Sequence, residues 1–186
     1  MKRIFIAVKV VPGIKLLEMA ASLKANLSEE KIKWTTLDNI HITLAFPGNT
    51  SGEKIESIDS ILKIKCSELK GFQVLMRGAG VFKSFSDPRI IWAGFEKSEE
   101  LLRLAYSVSD GLRDIGIDLE SRPFNPHLTI ARIKHVSDKE ELKKHIGKYQ
   151  NSDIQVVSVN EVILFESITM QDGPVYKPLS IHKLHD

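Results

Sequence analysis

An internal repeat constrains this chain more than any other feature of its sequence. The segments "NIHITLAF", from residue 39, and "NPHLTIAR", from residue 125, each hold a His-x-Thr motif in an apolar run, and His41 and His127 are 86 residues apart. The same offset aligns "RIFIA" at the amino terminus with "RIIWA" at residues 89–93, without a gap between residues 3 and 45. A constant register over this length indicates two copies of one structural unit.

The predicted elements follow the same repeat. Their order is strand, helix, strand, helix, strand, given twice, with one extra strand at the carboxyl end. Leucines and alanines recur at helical spacing in "PGIKLLEMAASLKANL", and a helix start led by Ser or Thr follows each His-x-Thr strand. The strand patterns favour antiparallel sheets with one covered face. We therefore predict an α+β fold with two pseudo-symmetric lobes, each an antiparallel sheet backed by helices, and an active-site cleft between the lobes.

The domain organisation follows from the repeat. We expect residues 1–186 to form a single bilobal domain, with repeat units over about residues 3–88 and 89–174. These are boundaries of the repeat, and strands can exchange between the lobes across them.

Composition narrows the functional classes. Hydrophobic residues make up 42% of the chain and charged residues 27%, which are ordinary values for a globular protein. With 26 basic and 24 acidic residues the net charge is +2. This near balance argues against a protein that coats long nucleic acids, whereas a small anion or the end of a nucleic acid remains a candidate ligand. Cys66 is the single cysteine, so a reducing compartment is favoured. No apolar run reaches the length of about 20 residues that is needed to span a bilayer. We expect a cytoplasmic protein that does not contact membranes.

Strand geometry indicates where the repeated motif points. Successive side chains on a strand alternate between its two faces, so His41 and Thr43 share one face, as do His127 and Thr129. The apolar residues between them can pack on helices, which leaves both His/Thr pairs on uncovered faces. If the lobes are related by a twofold axis, these faces oppose each other across a cleft.

Two opposed imidazoles suit in-line displacement at phosphorus. A neutral imidazole can take a proton from the nucleophile while a protonated one donates to the leaving oxygen, and threonine hydroxyls can bind the phosphate oxygens. A single His-x-Thr is more often structural, but a fold gains nothing from repeating a polar residue at an apolar position. A zinc site is poorly supported, because the motifs contain no cysteine and no acidic residue. We therefore expect no metal and no cofactor.

The chain resembles the two-histidine phosphoesterases, and within them the RNA 2′,3′-cyclic phosphodiesterases, also called 2′-5′ RNA ligases. The resemblance covers nearly the whole sequence and is carried by "RIFIAV", "NIHITLAFPG", "IIWAG", "FNPHLTIAR" and "LFESITMQDGPVY". It implies two pseudo-symmetric lobes around a cleft. It also implies metal-independent opening of a terminal 2′,3′-cyclic phosphate of RNA to a 2′-phosphate, with tRNA fragments among the candidate substrates, and a protein that acts as a monomer.

The resemblance also implies roles for particular residues. His41 matches the proton donor to the leaving 3′ oxygen and His127 the base that activates water, while Thr43 and Thr129 match the donors to phosphate oxygens. Arg132 matches a basic residue that contacts the phosphate, and Phe46 matches a phenylalanine that stacks on the terminal base. Strict strand alternation places Phe46 opposite His41 and Arg132 opposite His127, so a bulge or a strand end has to redirect them if they belong to the site.

Alternative interpretations remain open at the level of sequence. One is ATP-independent 2′-5′ joining of RNA, in which a 5′-hydroxyl replaces water as the nucleophile. Another is a module that binds RNA ends without chemistry, and a third is a cyclic mononucleotide as the substrate.

Trp92 lies in an apolar strand and is expected in the core, with a cleft position for base stacking as the alternative. Gly78 and Gly80 in "GAG" predict a bulge or a turn.

Overall fold

The computed structural model describes residues 1–171 and 173–185, and in this part of the chain it contains four α-helices and nine strands. The helices are α1 (Ile14–Asn26), α2 (Gly52–Ser67), α3 (Glu99–Asp114) and α4 (Lys139–Gly147). The strands are β1 (Lys2–Lys9), β2 (Lys31–Trp34), β3 (His41–Thr50), β4 (Phe72–Ser84), β5 (Asp87–Phe95), β6 (His127–His135), β7 (Asp153–Val159), β8 (Glu161–Met170) and β9 (Gly173–Lys183). A short 3₁₀ helix, Leu37–Asn39, precedes β3.

Three of the helices begin at side-chain caps. The side-chain oxygens of Ser51, Ser98 and Asp138 accept hydrogen bonds from the backbone N–H three residues further along, at the starts of α2, α3 and α4. Such caps satisfy N–H groups that have no partner within the helix. The predicted helix starts are therefore found, although the cap of α4 is the aspartate that follows Ser137.

The strands form one antiparallel sheet in the order β7-β4-β5-β6-β3-β1-β8-β9, with β2 paired beside β6. Between β3 and β6 the register contains the single pair Ile42 and Leu128. Two halves, β7-β4-β5-β6 and β3-β1-β8-β9, therefore meet at one short contact between the His-x-Thr strands. The predicted α+β class with antiparallel sheets and helices is confirmed, and the sheets of the two lobes are joined into one.

Each half of the sheet combines elements from both repeat units. β4 comes from the first unit and pairs with β5 and β7. β8 comes from the second unit, and together with β9, the extra strand at the carboxyl end, it extends the half that contains β1. Helices α2 and α3 pack on the half with β3, β8 and β9, while α1 and α4 pack on the half with β4 and β7. Strands thus exchange across the boundary between the units.

The predicted element order has two strands after the last helix, and the structure has three. The apolar run "IQVVSVNEVILF" breaks at Asn160 into β7 and β8. These two strands lie in opposite halves of the sheet. The break is not visible in the sequence pattern, because apolar residues suited to a strand stand on both sides of it.

The helices cover one face of the sheet and bury the main core. Ile42 and Leu128 have no exposed surface and belong to this core. A smaller cluster, Phe5, Ala7, Ile163 and Phe165 with Tyr176 packed against it, forms separately from the main core. Phe5 and Ala7 alternate along β1 with main-core residues, so this small cluster lies on the face opposite the helices. Among the described helices, none combines the length and the apolar character required to cross a membrane.

Candidate active site

His41 and His127 begin β3 and β6 and are held in the same way. The Nδ1 atom of His41 lies 2.7 Å from the carbonyl oxygen of Asn39, and Nδ1 of His127 lies 2.8 Å from the carbonyl oxygen of Asn125. Because a carbonyl only accepts hydrogen bonds, each Nδ1 carries a hydrogen and donates it. Each Nε2 is therefore the nitrogen that takes up or releases a proton.

The contact between β3 and β6 brings the two motifs together. Ile42 pairs with Leu128 in an antiparallel register, and both side chains are buried on the helix side. Thr43 and Thr129, two residues after the histidines, are half-buried. Alternation along the strands places both histidines and both threonines on the face opposite the helices. Two imidazoles and two hydroxyls thus surround one point of the sheet.

A β-bulge in β3 redirects Phe46. Thr43 and Ala45 pair with adjacent residues of β1, so Leu44 is an extra residue without an opposite partner. Leu44 and Ala45 are consequently both buried, and Phe46 is 46% exposed. The alternation is shifted by one residue after the bulge, which brings Phe46 to the face that carries His41.

A second bulge, 86 residues later, has the same effect in β6. Thr129 and Ala131 pair with adjacent residues of β5, so Ile130 is the extra residue. Ile130 and Ala131 are both buried, and Arg132 is exposed. Arg132 therefore lies on the face that carries His127. All six residues singled out from the sequence share this face: His41, Thr43, Phe46, His127, Thr129 and Arg132. Strict alternation was wrong for Phe46 and Arg132, and the bulges are the physical reason.

Aromatic rings fix the position of each imidazole. The ring of His41 lies 4.9 Å from that of Phe5 and 5.2 Å from that of Tyr176, centre to centre, the latter at an angle of 89°. The ring of His127 lies 4.6 Å from that of Phe82, also at 89°. These ring contacts restrict the motion of the imidazoles. The two halves of the sheet supply these rings from different strands. The rings that contact His41 come from β1 and β9, and the ring that contacts His127 comes from β4.

Burial and nearby charge favour the neutral forms of both histidines. Burial lowers the pKa of His41, the hydrogen bond to Asn39 opposes this, and the positive charges of His127 and Arg132 lower the pKa further. Burial also lowers the pKa of His127, against the bond to Asn125, and Arg132 adds to the decrease. The charge of Arg132 therefore acts on both imidazoles. A bound phosphate dianion or monoanion would act in the opposite direction and stabilise an imidazolium.

Tyr176 and Arg3 extend the positive and aromatic surface of the site. Burial raises the pKa of the Tyr176 phenol, and the charges of Arg132 and Arg3 oppose this rise. The guanidinium carbon of Arg3 lies 5.0 Å from the centre of the Phe46 ring, in a cation–π contact. Tyr176 therefore lies within the electrostatic reach of both arginines.

Trp92 lies on the site face, in the cleft position considered as the alternative. It pairs with Thr129 across β5 and β6 and is only half-buried. Its indole lies across Gly80 and Gly94, since a Cβ atom at Gly80 would overlap the ring and one at Gly94 would come within 3.0 Å of it. The expectation of a core position was wrong. Gly80 lacks a side chain because the indole occupies that space, and the bulge predicted at "GAG" occurs between Met76 and Ala79.

Sequence reasoning missed several residues of this site. Asn39 and Asn125 repeat at the same 86-residue offset as the histidines, so the pattern Asn-x-His-x-Thr was available as a signal. Their contribution comes from backbone carbonyls, which no side-chain pattern reveals. Phe5, Phe82 and Tyr176 come from other strands and carry no motif of their own. Among the described residues, no group of three or more His, Cys, Asp or Glu side chains is arranged to hold a metal ion.

Two imidazoles beside two hydroxyls suit proton transfer and the stabilisation of charge at a phosphate ester, and comparisons with known proteins agree. The family model described as "LigT like Phosphoesterase" matches residues 8–92 and 95–176. The chain therefore belongs to the LigT-like phosphoesterase family, which confirms the resemblance found in the sequence and the prediction that the chain is an enzyme.

Relatives support this assignment over nearly the full length, and solved structures share the fold. The chain is 30% identical to a protein of Archaeoglobus fulgidus over 96% of this chain and 98% of the relative, and 31% identical to one of Thermotoga maritima over 95% and 92%; both are named RNA 2′,3′-cyclic phosphodiesterase. Its fold is similar to that of a Thermus thermophilus protein, with a TM-score of 0.78 at 24% identity over 98% and 97% of the two chains. It is also similar to E. coli LigT complexed with 3′-AMP, with a TM-score of 0.75 at 22% identity over 100% and 99%.

Proposed function

We propose that this protein hydrolyses the 2′,3′-cyclic phosphate at the 3′ end of RNA to a 2′-phosphate, with His41 as the proton donor and His127 as the proton acceptor. The observation that carries the proposal is the pair of imidazoles, each with Nδ1 bonded to a carbonyl and Nε2 left for proton transfer, beside two threonines on one face. The names of the relatives in Archaeoglobus and Thermotoga supply the substrate class.

The reaction follows from this arrangement. Nε2 of neutral His127 takes a proton from a water molecule, whose oxygen attacks phosphorus in line with the 3′ oxygen. The P–O3′ bond breaks as Nε2 of protonated His41 donates its proton to that oxygen, which leaves a 3′-hydroxyl and a 2′-phosphate. Each proton transfer contributes about 10² to 10⁴ in rate. Proton exchange with solvent then restores both imidazoles.

The remaining site residues stabilise charge and hold the nucleotide. The hydroxyls of Thr43 and Thr129 donate to the non-bridging phosphate oxygens, on which charge develops during the attack. Arg132 adds a guanidinium, whose planar donors fit a phosphate. Phe46 offers an exposed ring on which the terminal base stacks, and such contacts contribute about 1–3 kcal/mol per base.

The proposal does not require a metal. Two imidazoles supply both proton transfers, and the donor set, two histidines and two threonines, lacks the carboxylates or thiolates that complete a zinc or magnesium site. We also propose that the chain acts in the cytoplasm as a monomeric, single bilobal domain, with an RNA end, such as that of a tRNA fragment, as its partner.

Product analysis tests the proposal. The protein is incubated in EDTA with an oligoribonucleotide that ends in a 2′,3′-cyclic phosphate, and the product is identified by ³¹P NMR and chromatography against a blank without protein. A 2′-phosphate is the expected product. A 3′-phosphate would reverse the assignment of the leaving group, and the absence of any product would leave only a module that binds RNA ends. Addition of a second RNA with a 5′-hydroxyl tests for 2′-5′ joining in the same assay.

A further inference from the structure

The repeat places two arginines, Arg3 and Arg89, at equivalent positions with different surroundings. Nε of Arg89 lies 2.9 Å from the carboxylate of Asp87 in the same strand. For Arg3, by contrast, no ion pair with a carboxylate is found among residues 1–171 and 173–185. Instead its guanidinium carbon lies 5.0 Å from the centre of the Phe46 ring. One arginine of the pair is neutralised within its own strand, and the other presents its charge beside the aromatic ring of the site.

The contact with Phe46 orients Arg3 toward the site. A guanidinium held over a ring by its charge keeps N–H donors that can still bond a phosphate oxygen. The charge of Arg3 reaches the Tyr176 phenol, as does the charge of Arg132. Tyr176 in turn contacts His41 edge to face. Both guanidiniums therefore act on Tyr176, and Arg3 does so from beside the Phe46 ring.

We propose that Arg3 binds the phosphate on the 5′ side of the terminal nucleotide and so makes the enzyme prefer an RNA end to a cyclic mononucleotide. This inference rests on the proposed function. Arg132 neutralises the cyclic phosphate, and Arg3, at the base-stacking end of the site, neutralises the next phosphate along the chain. A cyclic mononucleotide lacks that second phosphate and leaves Arg3 without a ligand. The structure therefore assigns Arg3 to the recognition of a longer substrate and not to the cleavage of the cyclic phosphate.

The test compares two substrates on three proteins. The substrates are adenosine 2′,3′-cyclic phosphate and the dinucleotide ApA ending in a 2′,3′-cyclic phosphate, and the proteins are the wild type, Arg3→Met and Arg89→Met. Methionine keeps an unbranched, flexible side chain while it removes the charge. We expect the wild type to favour the dinucleotide about tenfold in kcat/KM, the size of one charge-assisted hydrogen bond at a partly exposed site. In Arg3→Met this ratio falls to about one, and in Arg89→Met it stays at the wild-type value.

Other results would overturn the inference. A dinucleotide preference that survives in Arg3→Met would show that another group binds the second phosphate, and an equal loss on both substrates would assign Arg3 to the support of Phe46 alone. The preference should also weaken as salt is added, because it depends on one ionic contact.

Binding measurements separate this inference from the proposed function. The affinities of the unreactive products, 2′-AMP and ApA with a 2′-phosphate, are measured by calorimetry on the same three proteins. If no protein turns over either substrate, the proposed function fails, whereas the contact of Arg3 with the second phosphate is still tested by the affinity ratio of these two ligands. A ratio that is the same in the wild type and Arg3→Met would contradict it.

Discussion

Replacement of Arg132 by methionine removes two effects of its guanidinium, the lowering of the histidine pKa values and the hydrogen bond to the phosphate. Its guanidinium lowers the pKa of both histidines, so its removal raises both pKa values. The acidic limb of kcat/KM, where the base becomes neutral, should therefore move to higher pH in Arg132→Met. Loss of a charged hydrogen bond to the phosphate costs about 1.5–3 kcal/mol, which corresponds to about 10- to 150-fold in kcat/KM at about 1.4 kcal/mol per factor of ten.

Steady-state kinetics across pH, with a cyclic-phosphate RNA, measure both effects. Arg132→Lys keeps the charge and loses the planar fork, so its rate should fall while the acidic limb stays close to the wild-type position. Arg89→Met is the matched control, since Arg89 is an exposed arginine of the neighbouring strand that is paired with Asp87. Arg132 is exposed, so its removal should leave the melting temperature nearly unchanged. An acidic limb that stays in place or moves to lower pH in Arg132→Met would show that this guanidinium does not act on the histidines.

Three further results are expected. Thr129→Val should lower kcat by about 10²-fold, as for loss of one donor to a developing negative charge, with an unchanged circular dichroism spectrum; an unchanged kcat would remove Thr129 from the mechanism. Gly80→Ala should destabilise the fold by about 1–3 kcal/mol in urea unfolding, since its Cβ would overlap the Trp92 indole, whereas Gly147→Ala, with open space around it, should not. The pH optimum of kcat should lie above that of kcat/KM, because bound phosphate raises the histidine pKa values that burial lowers in the free protein; coincident optima would contradict this.

The centre of the candidate site is visible in the sequence because of the repeat. His41 and His127 stand at one offset, and strand alternation places Thr43 and Thr129 on the same face as the histidines. The structure agrees with that placement. Alternation then failed for Phe46 and Arg132, because it assumes an uninterrupted ladder. The adjacent apolar pairs "LA" at residues 44–45 and "IA" at residues 130–131 are the sequence trace of the bulges, since two consecutive buried residues break the period of two.

Other parts of the structure depend on contacts that no local pattern contains. Tyr176 reaches His41 only because β9 pairs with β8 and β8 with β1. The strand break at Asn160 sends β7 and β8 to opposite halves of the sheet, and apolar residues flank it on both sides. Trp92 looks like a core residue in sequence, and its place on the site face depends on two glycines in two strands, Gly80 of β4 and Gly94 of its own β5. These features follow from the pairing of distant strands.

The most direct test of the paired-histidine mechanism is the rate of cyclic-phosphate hydrolysis by His41→Ala and His127→Ala. Each variant should lose about 10² to 10⁴ in kcat, and the double variant should lose less than the product of the two single losses, because the two residues act as a unit. Loss of one partly exposed hydrogen bond costs about 1 kcal/mol, or about 2–4 °C in melting temperature, so both variants should remain folded.

His145→Ala is the matched control for this measurement. His145 is a buried histidine of α4 that is bonded to Glu141, on the side of the sheet away from the site, and its removal should cost stability and not activity. Hydrolysis should collapse in both His41→Ala and His127→Ala and persist in His145→Ala. Hydrolysis within about threefold of the wild-type rate in a folded His41→Ala or His127→Ala protein would contradict the paired-histidine mechanism.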